Sequence, residues 1–260
     1  MSSSEQLSKQ ERVQCHCISQ FIAFDASTPH CHFSAEVTDD QTSSNIGPDH
    51  MKNIILDLFF AGSDTTATTL NWFLLYMIRF PDVQQRCREE IDEVLGPEGL
   101  LTKSALGKDF PFTTASMMEC QRLSPIFGAS LPHVVKDDAT VGGCPIKKGD
   151  ALQASIRFLH LDERYWSDPL SFKPERWLDS SDSNKLVHHT HFLPFSIGKR
   201  RCMVEHLAKA EYAIFAISLL RNFIFRMEDP SNPPSLDGVG MLYSPKPYKM
   251  IIQNRTLVET

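Results

Sequence analysis

No apolar run in the 260-residue sequence approaches the ~20 residues a membrane-spanning helix needs. The densest stretch, Trp72–Ile78, stops at Arg79. A basic excess is missing too: 26 Lys+Arg stand against 32 Asp+Glu, a formal charge of −6. That balance excludes the net basic surface of a nucleic-acid-binding module. The seven cysteines are odd in number, and neither a Cys-x-x-Cys pair nor a secretory pattern accompanies them. They are expected to be reduced thiols, as in a cytosol-facing protein, rather than a disulfide framework. No internal repeat is present. What remains is a globular composition, 42% apolar and 22% charged, enough to fold most of the chain.

The first 48 residues differ in texture from the rest. Met1–Arg12 is rich in Ser, Gln, Lys and Glu, and Asp39–Asp49 is a polar linker-like cluster. Cys15-His16-Cys17 and His30-Cys31-His32 lie between them, but adjacent or alternate ligands do not let one loop wrap a zinc ion. Residues 1–48 are therefore expected to be disordered or irregular, with the folded unit at 49–260. From His50 to Phe80 the pattern is helical, with Leu58, Ala61, Thr65 and Thr69 on one stripe. Pro81 ends that run. Asp82–Leu95 and Thr113–Leu123 read as further helices, the first closed by Gly96-Pro97 and the second by Ser124-Pro125. Thr140–Ile146 and Ala151–Ile156 look like short strands punctuated by turns at Gly142-Gly143 and Lys147-Lys148-Gly149, followed by a coil rich in Pro and aromatics from Leu161 to Phe195. A last long helix is expected to begin near Cys202, with Met203, Leu207, Ala210, Ile214 and Ile217 as its apolar stripe. Tyr248–Ile252 is a final strand candidate. The expected fold class is mainly α with small β-sheets.

Phe195-Ser196-Ile197-Gly198-Lys199-Arg200-Arg201-Cys202 is the most informative stretch. It sets one cysteine at the first turn of a helix behind a Gly-bearing basic loop, where helix dipole and cations favour the thiolate. Such a thiolate serves as nucleophile, redox sensor or metal ligand, and with no paired base or second cysteine nearby, single-point ligation of a metal cofactor is the sharper option. Read alone, Cys202 fits better as a buried cysteine that happens to open a helix. A cysteine hydrolase would need a His held beside it, and His188-His189-Thr190-His191 reads instead as a polar loop. Ala61-Gly62-Ser63-Asp64-Thr65-Thr66 places poor helix formers in mid-helix, where hydroxyls can bond back to carbonyls and loosen the ladder. An acid beside a hydroxyl there can relay protons. Glu119 and Arg122 share a helix face, and Pro174-Glu175-Arg176 lies in the coil.

In this order, the four motifs resemble the cytochrome P450 family of haem-thiolate monooxygenases. The family pattern runs Ala-Gly-x-Asp/Glu-Thr-Thr on a kinked helix, Glu-x-x-Arg, Pro-Glu-Arg-Phe, then Phe-x-x-Gly-x-Arg-x-Cys-x-Gly. Gln121–Pro125 and Leu131-Pro132-His133 look most like animal microsomal, family-two-like members. The resemblance covers about His50 to Asn254. It implies Cys202 as axial ligand of the iron of haem b, and Arg200, His133, Phe195, Gly198 and Ala61 as cofactor contacts. It further implies Asp64 and Thr65 at the dioxygen pocket as the catalytic pair, and Glu119, Arg122 and Arg176 as a structural triad. Lys199 and Arg201 would face an NADPH-dependent flavoprotein reductase, or form a solvated basic turn. The implied activity inserts one oxygen atom into an apolar small molecule, at the cytosolic face of the endoplasmic reticulum membrane.

Two departures from the pattern stand out. Val204 occupies the last Gly position of the cysteine motif, which predicts crowding against the cofactor and weakened haem binding. The resemblance also begins in the middle of the family's fold, so the chain is expected to hold only its C-terminal half, without the anchor and most pocket segments. The alternative expectation is thus a truncated, inactive fragment. Such a fragment would leave one flank of the central helix uncovered and prone to association.

Overall fold

The computed structural model describes residues 12–14, 47–96 and 110–255. Its helices are α1 (Pro48–Arg79), α2 (Pro81–Leu95), α3 (Pro111–Leu123), α4 (Ile156–Leu161) and α5 (Glu205–Asn222). The strands are β1 (Arg12–Gln14), β2 (His133–Val134), β3 (Ala139–Val141), β4 (Cys144–Ile146), β5 (Ala151–Leu152), β6 (Phe223–Met227), β7 (Gly238–Val239), β8 (Ser244–Pro245) and β9 (Lys249–Asn254). Antiparallel pairing gives one three-stranded sheet in the order β1-β9-β6 and three two-stranded ones, β2-β5, β3-β4 and β7-β8.

Proline opens α1, α2 and α3 within the first turn, where its missing N–H costs nothing and its fixed φ suits the helix. The free amides at the start of α3 are taken by Glu90 of α2. Its carboxylate accepts from the Phe112 and Thr113 N–H groups at 2.7 Å each and from the Thr113 hydroxyl at 2.6 Å. This caps the helix from outside its own sequence.

The core forms around the second half of α1. Trp72 through Ile78 are all buried, so this stretch is enclosed on every side, as an all-round apolar helix must be. Gln84 of α2 stitches it to the sheet: its amide N–H₂ donates to the Met77 and Phe225 carbonyls at 2.9 Å each, and its Oε1 accepts from Phe225 N–H at 3.0 Å. The β7-β8 hairpin lies on the same helix. Trp72 Nε1 donates to the Tyr243 carbonyl at 2.8 Å, and the two rings stack with centroids 5.3 Å apart. Gly238 is required at this contact, because a Cβ there would sit 2.7 Å from the Tyr243 ring and 2.8 Å from Trp72.

Several expectations are corrected. The run expected as a strand over Ala151–Ile156 keeps only Ala151–Leu152 as strand, and Ile156 opens α4, whose N-cap Ser155 accepts from Phe158 N–H at 3.2 Å. The turn expected at Gly142-Gly143 is present: both are at positive φ and they close the β3-β4 hairpin within Ala139–Ile146. The last helix starts at Glu205, not Cys202, and β6 follows it directly. The helix bearing the Ala-Gly-x-Asp-Thr-Thr motif is continuous from Pro48 to Arg79. Only one end of each expected apolar stripe is buried. Thr69 is covered while Leu58 and Ala61 are exposed, and Ile217 is covered while Met203 and Leu207 are exposed. Strand β1 falls within residues 1–48; the two Cys/His triplets there lie outside the described residues.

Candidate functional site

Cys202 lies on the loop between the 3-10 turn Gly198–Arg200 and α5, half-buried and in no disulfide. Backbone bonds shape this loop, including one from the Arg201 N–H to the Gly198 carbonyl at 3.2 Å. The Ser196 N–H donates to the Leu193 carbonyl at 3.1 Å, and the Cys202 N–H donates to the Phe195 carbonyl at 3.0 Å. Gly198 holds φ +78 with nothing within 4 Å of where a Cβ would stand, and Ser196 sits at φ 62, unusual for a residue with a side chain. Lys199, Arg200 and Arg201 are exposed, and Lys209 places its Nζ 5.5 Å from the Phe195 ring centroid. Val204 adopts φ −103, which any residue accepts, so its consequence lies in side-chain bulk alone.

On α1, Ala61 and Asp64 are exposed and Thr65 is half-buried. The hydroxyls here are turned onto the helix backbone. Ser63 donates to the Phe59 carbonyl at 2.8 Å, Thr65 to Ala61 at 2.6 Å and Thr69 to Thr65 at 2.8 Å. Their protons are engaged while their lone pairs stay open to a donor. His133 is exposed on β2, opposite Leu152. Among the described residues, no hydrogen bond joins Asp64, Thr65 or His133 to the Cys202 loop.

Glu119, Arg122 and Arg176 do come together. Arg122 meets Glu119 through Nε and Nη2, both at 2.8 Å, with neither side chain exposed. Arg176 Nε reaches the same carboxylate at 2.9 Å. The remaining Arg122 donors go to the carbonyls of His160 at 2.8 Å, Pro169 at 2.7 Å and Ser171 at 3.4 Å. Trp177 Nε1 and the Lys173 amide complete the Glu119 shell at 2.9 and 3.1 Å. The sequence reading missed Trp177 and His160. The signal for Trp177 was legible, since it stands directly after Arg176 where the family motif has Phe, and only an indole brings an N–H. His160 carries no motif signal at all.

The Cytochrome P450 family model matches residues 9–252. Cytochrome P450 2U1 of Bos taurus is 37% identical over 218 residues, covering 83% of this chain and 39% of the relative. Cytochrome P450 2D4 of Rattus norvegicus is 39% identical over 213 residues, covering 82% and 42%. A zebra fish cytochrome P450 solved with abiraterone superposes with a TM-score of 0.74 at 30% identity, covering 83% of this chain and 52% of that one. The chain thus spans about two-fifths of the length of these curated relatives. Four motifs in order, a helical fold with small sheets that superposes on about half of a solved member, and a family match over most of its length together show that the chain belongs to the cytochrome P450 family.

Proposed function

We propose that this chain carries the thiolate side of a haem-thiolate monooxygenase, with Cys202 as the residue whose thiolate would hold the haem iron. The observation that carries the reading is the Cys202 loop, whose backbone is pinned at Phe195 while the thiol is left half-buried and in no disulfide. The surroundings fit haem b, the family's cofactor: a single soft donor suits iron, and there is open space at Gly198 and Gly62. Exposed apolar side chains at Ile197, Met203 and Leu207 suit a flat porphyrin, and the exposed Arg200 and His133 suit its carboxylates. When bound, haem b supplies the iron at which dioxygen is activated.

The protein's own groups do the rest. With haem b bound, Phe195, Gly198 and Ala61 would contact it, and Arg200 and His133 would hold its carboxylates. Thr65 keeps its lone pairs available by donating to Ala61, so it can hold a hydrogen bond from an incoming donor, and the exposed Asp64 exchanges protons with solvent. Lys199 and Arg201 form a basic face for an acidic, NADPH-dependent flavoprotein reductase. The substrate class is an apolar small organic molecule, and the setting is the endoplasmic reticulum membrane; among the described residues no helix is long and apolar enough to cross a membrane. A second reading, weak haem binding without turnover, is favoured by the first half of α1, where Ile55, Leu56, Phe59 and Phe60 are each more than half exposed.

The test is spectroscopic. Purified chain, mixed with ferric haem b and reduced under carbon monoxide, should give the red-shifted Soret band of thiolate ligation, and Cys202→Ala should lose it. Absence of haem uptake by the parent chain overturns the proposal. Haem uptake with no product from NADPH, reductase and an apolar substrate selects the second reading.

A further inference from the structure

We infer that His160 is a positioning residue: its neutral imidazole ties the Cys202 loop to the buried Glu119–Arg122–Arg176 cluster and so sets how Cys202 is presented. Part of the inference rests on the haem reading above, and the experiment below separates the two.

His160 lies in α4 and is fully buried. It is bonded in two directions. Its main-chain carbonyl accepts from Arg122 Nη1 at 2.8 Å, and its ring Nε2 accepts from the Leu193 N–H at 2.9 Å. A backbone amide can only donate, so Nε2 must be unprotonated and the ring proton must sit on Nδ1. Burial, then the charge of Arg122, pushes the imidazole pKa down to about 4, so the acceptor form persists at neutral pH. The ring also packs on Phe192, which contacts Trp177, whose indole N–H reaches Glu119.

Leu193 is where the loop begins. Its carbonyl receives the Ser196 N–H, and two residues on, Phe195 receives the Cys202 N–H. The imidazole therefore holds the near end of the loop, while the thiol and the three basic residues keep clear of it. Nothing else among the described residues accepts from the Leu193 N–H. Without its acceptor this half-buried amide would be left unsatisfied, and the turn that presents Cys202 would lose its anchor.

Hydrogen exchange on the full chain without added haem tests the mechanical part. His160→Leu should lose at least about tenfold protection at Leu193, the factor that 1.4 kcal/mol represents. A several-fold loss at Cys202 should accompany it, with Leu75 in the core unchanged. His160→Gln, which keeps an acceptor, should restore both. Unchanged protection at Cys202 in His160→Leu overturns the inference, as does a Gln variant indistinguishable from Leu. If His160→Leu unfolds as a whole, Leu193→Pro removes the donor instead and leaves His160 in place; full order at Cys202 in that variant also overturns it. Added ferric haem b gives the second readout, in which His160→Leu loses thiolate-type band that His160→Gln recovers. A parent chain with no such band defeats the haem reading, while the exchange comparison still decides the role of His160.

Discussion

The Glu119 cluster and the Cys202 loop meet at the His160 imidazole, yet they are built on opposite terms. In the cluster every guanidinium nitrogen of Arg122 has an acceptor and the carboxylate of Glu119 has five donors. In the loop, three consecutive cations are exposed, the thiol is in no disulfide, and Ser196 holds a positive φ. A saturated, largely buried ion cluster gives rigidity and has little capacity left for a ligand. A loop with open donors and exposed apolar side chains is suited to binding and adds little to stability. Substitutions in the first region should therefore register in unfolding, and those in the second in haem retention.

The largest expected effect breaks the saturated side. Glu119→Gln leaves Arg122 buried without its counter-charge and should cost about 3–5 kcal/mol, read as a large drop in the urea midpoint. A loss under about 1 kcal/mol would show that the cluster is not the rigid member of the pair.

Next comes the joint between the regions. His160 has a folded pKa near 4 against an ordinary 6.5, so between those values the unfolded chain binds more protons than the folded one. Stability contributed by this neutral ring is therefore lost as the pH falls from about 6.5 to about 4, by an amount of about 3 kcal/mol. His160→Gln should flatten the stability curve in that window; an identical slope in parent and variant would remove His160 as its cause.

The smallest effect on folding sharpens the loop side. Val204→Gly should leave the urea midpoint within about 1 kcal/mol, since φ −103 strains neither residue and the side chain is only half-buried. Haem retention should nevertheless improve, by up to the ~1–3 kcal/mol that relieved overpacking is worth. Equal retention in both proteins would rule out crowding at this position.

Much of this contrast was legible beforehand. Glu119 and Arg122 share a helix face by their spacing alone, and the Pro residues at 81 and 125 mark helix ends because a missing N–H and a fixed φ leave little choice. Other features carried no such mark. The six residues of α4 are too few to show a 3.6-residue period, so Ile156 read as strand. Strand β6 follows α5 without a turn residue, and its alternation merges with the helical stripe. The stripes through Leu58 and Met203 were found correctly as apolar, but periodicity reports a face and not what covers it. The His160 carbonyl and the Leu193 amide are backbone groups present in every residue, and only tertiary placement distinguishes them.

The order of strands in the three-stranded sheet has a consequence for how the chain is made. Its middle strand, β9, spans Lys249–Asn254, while β1 on one edge spans Arg12–Gln14 and β6 on the other spans Phe223–Met227. During synthesis both edges emerge before the strand that pairs them, and β1 must wait for more than two hundred further residues. Pairing over that separation carries a high closure entropy and comes late. The sheet is therefore closed only once β9 has emerged, and a nascent chain stopped short of Lys249 would expose two unpaired edges to its neighbours on the polysome.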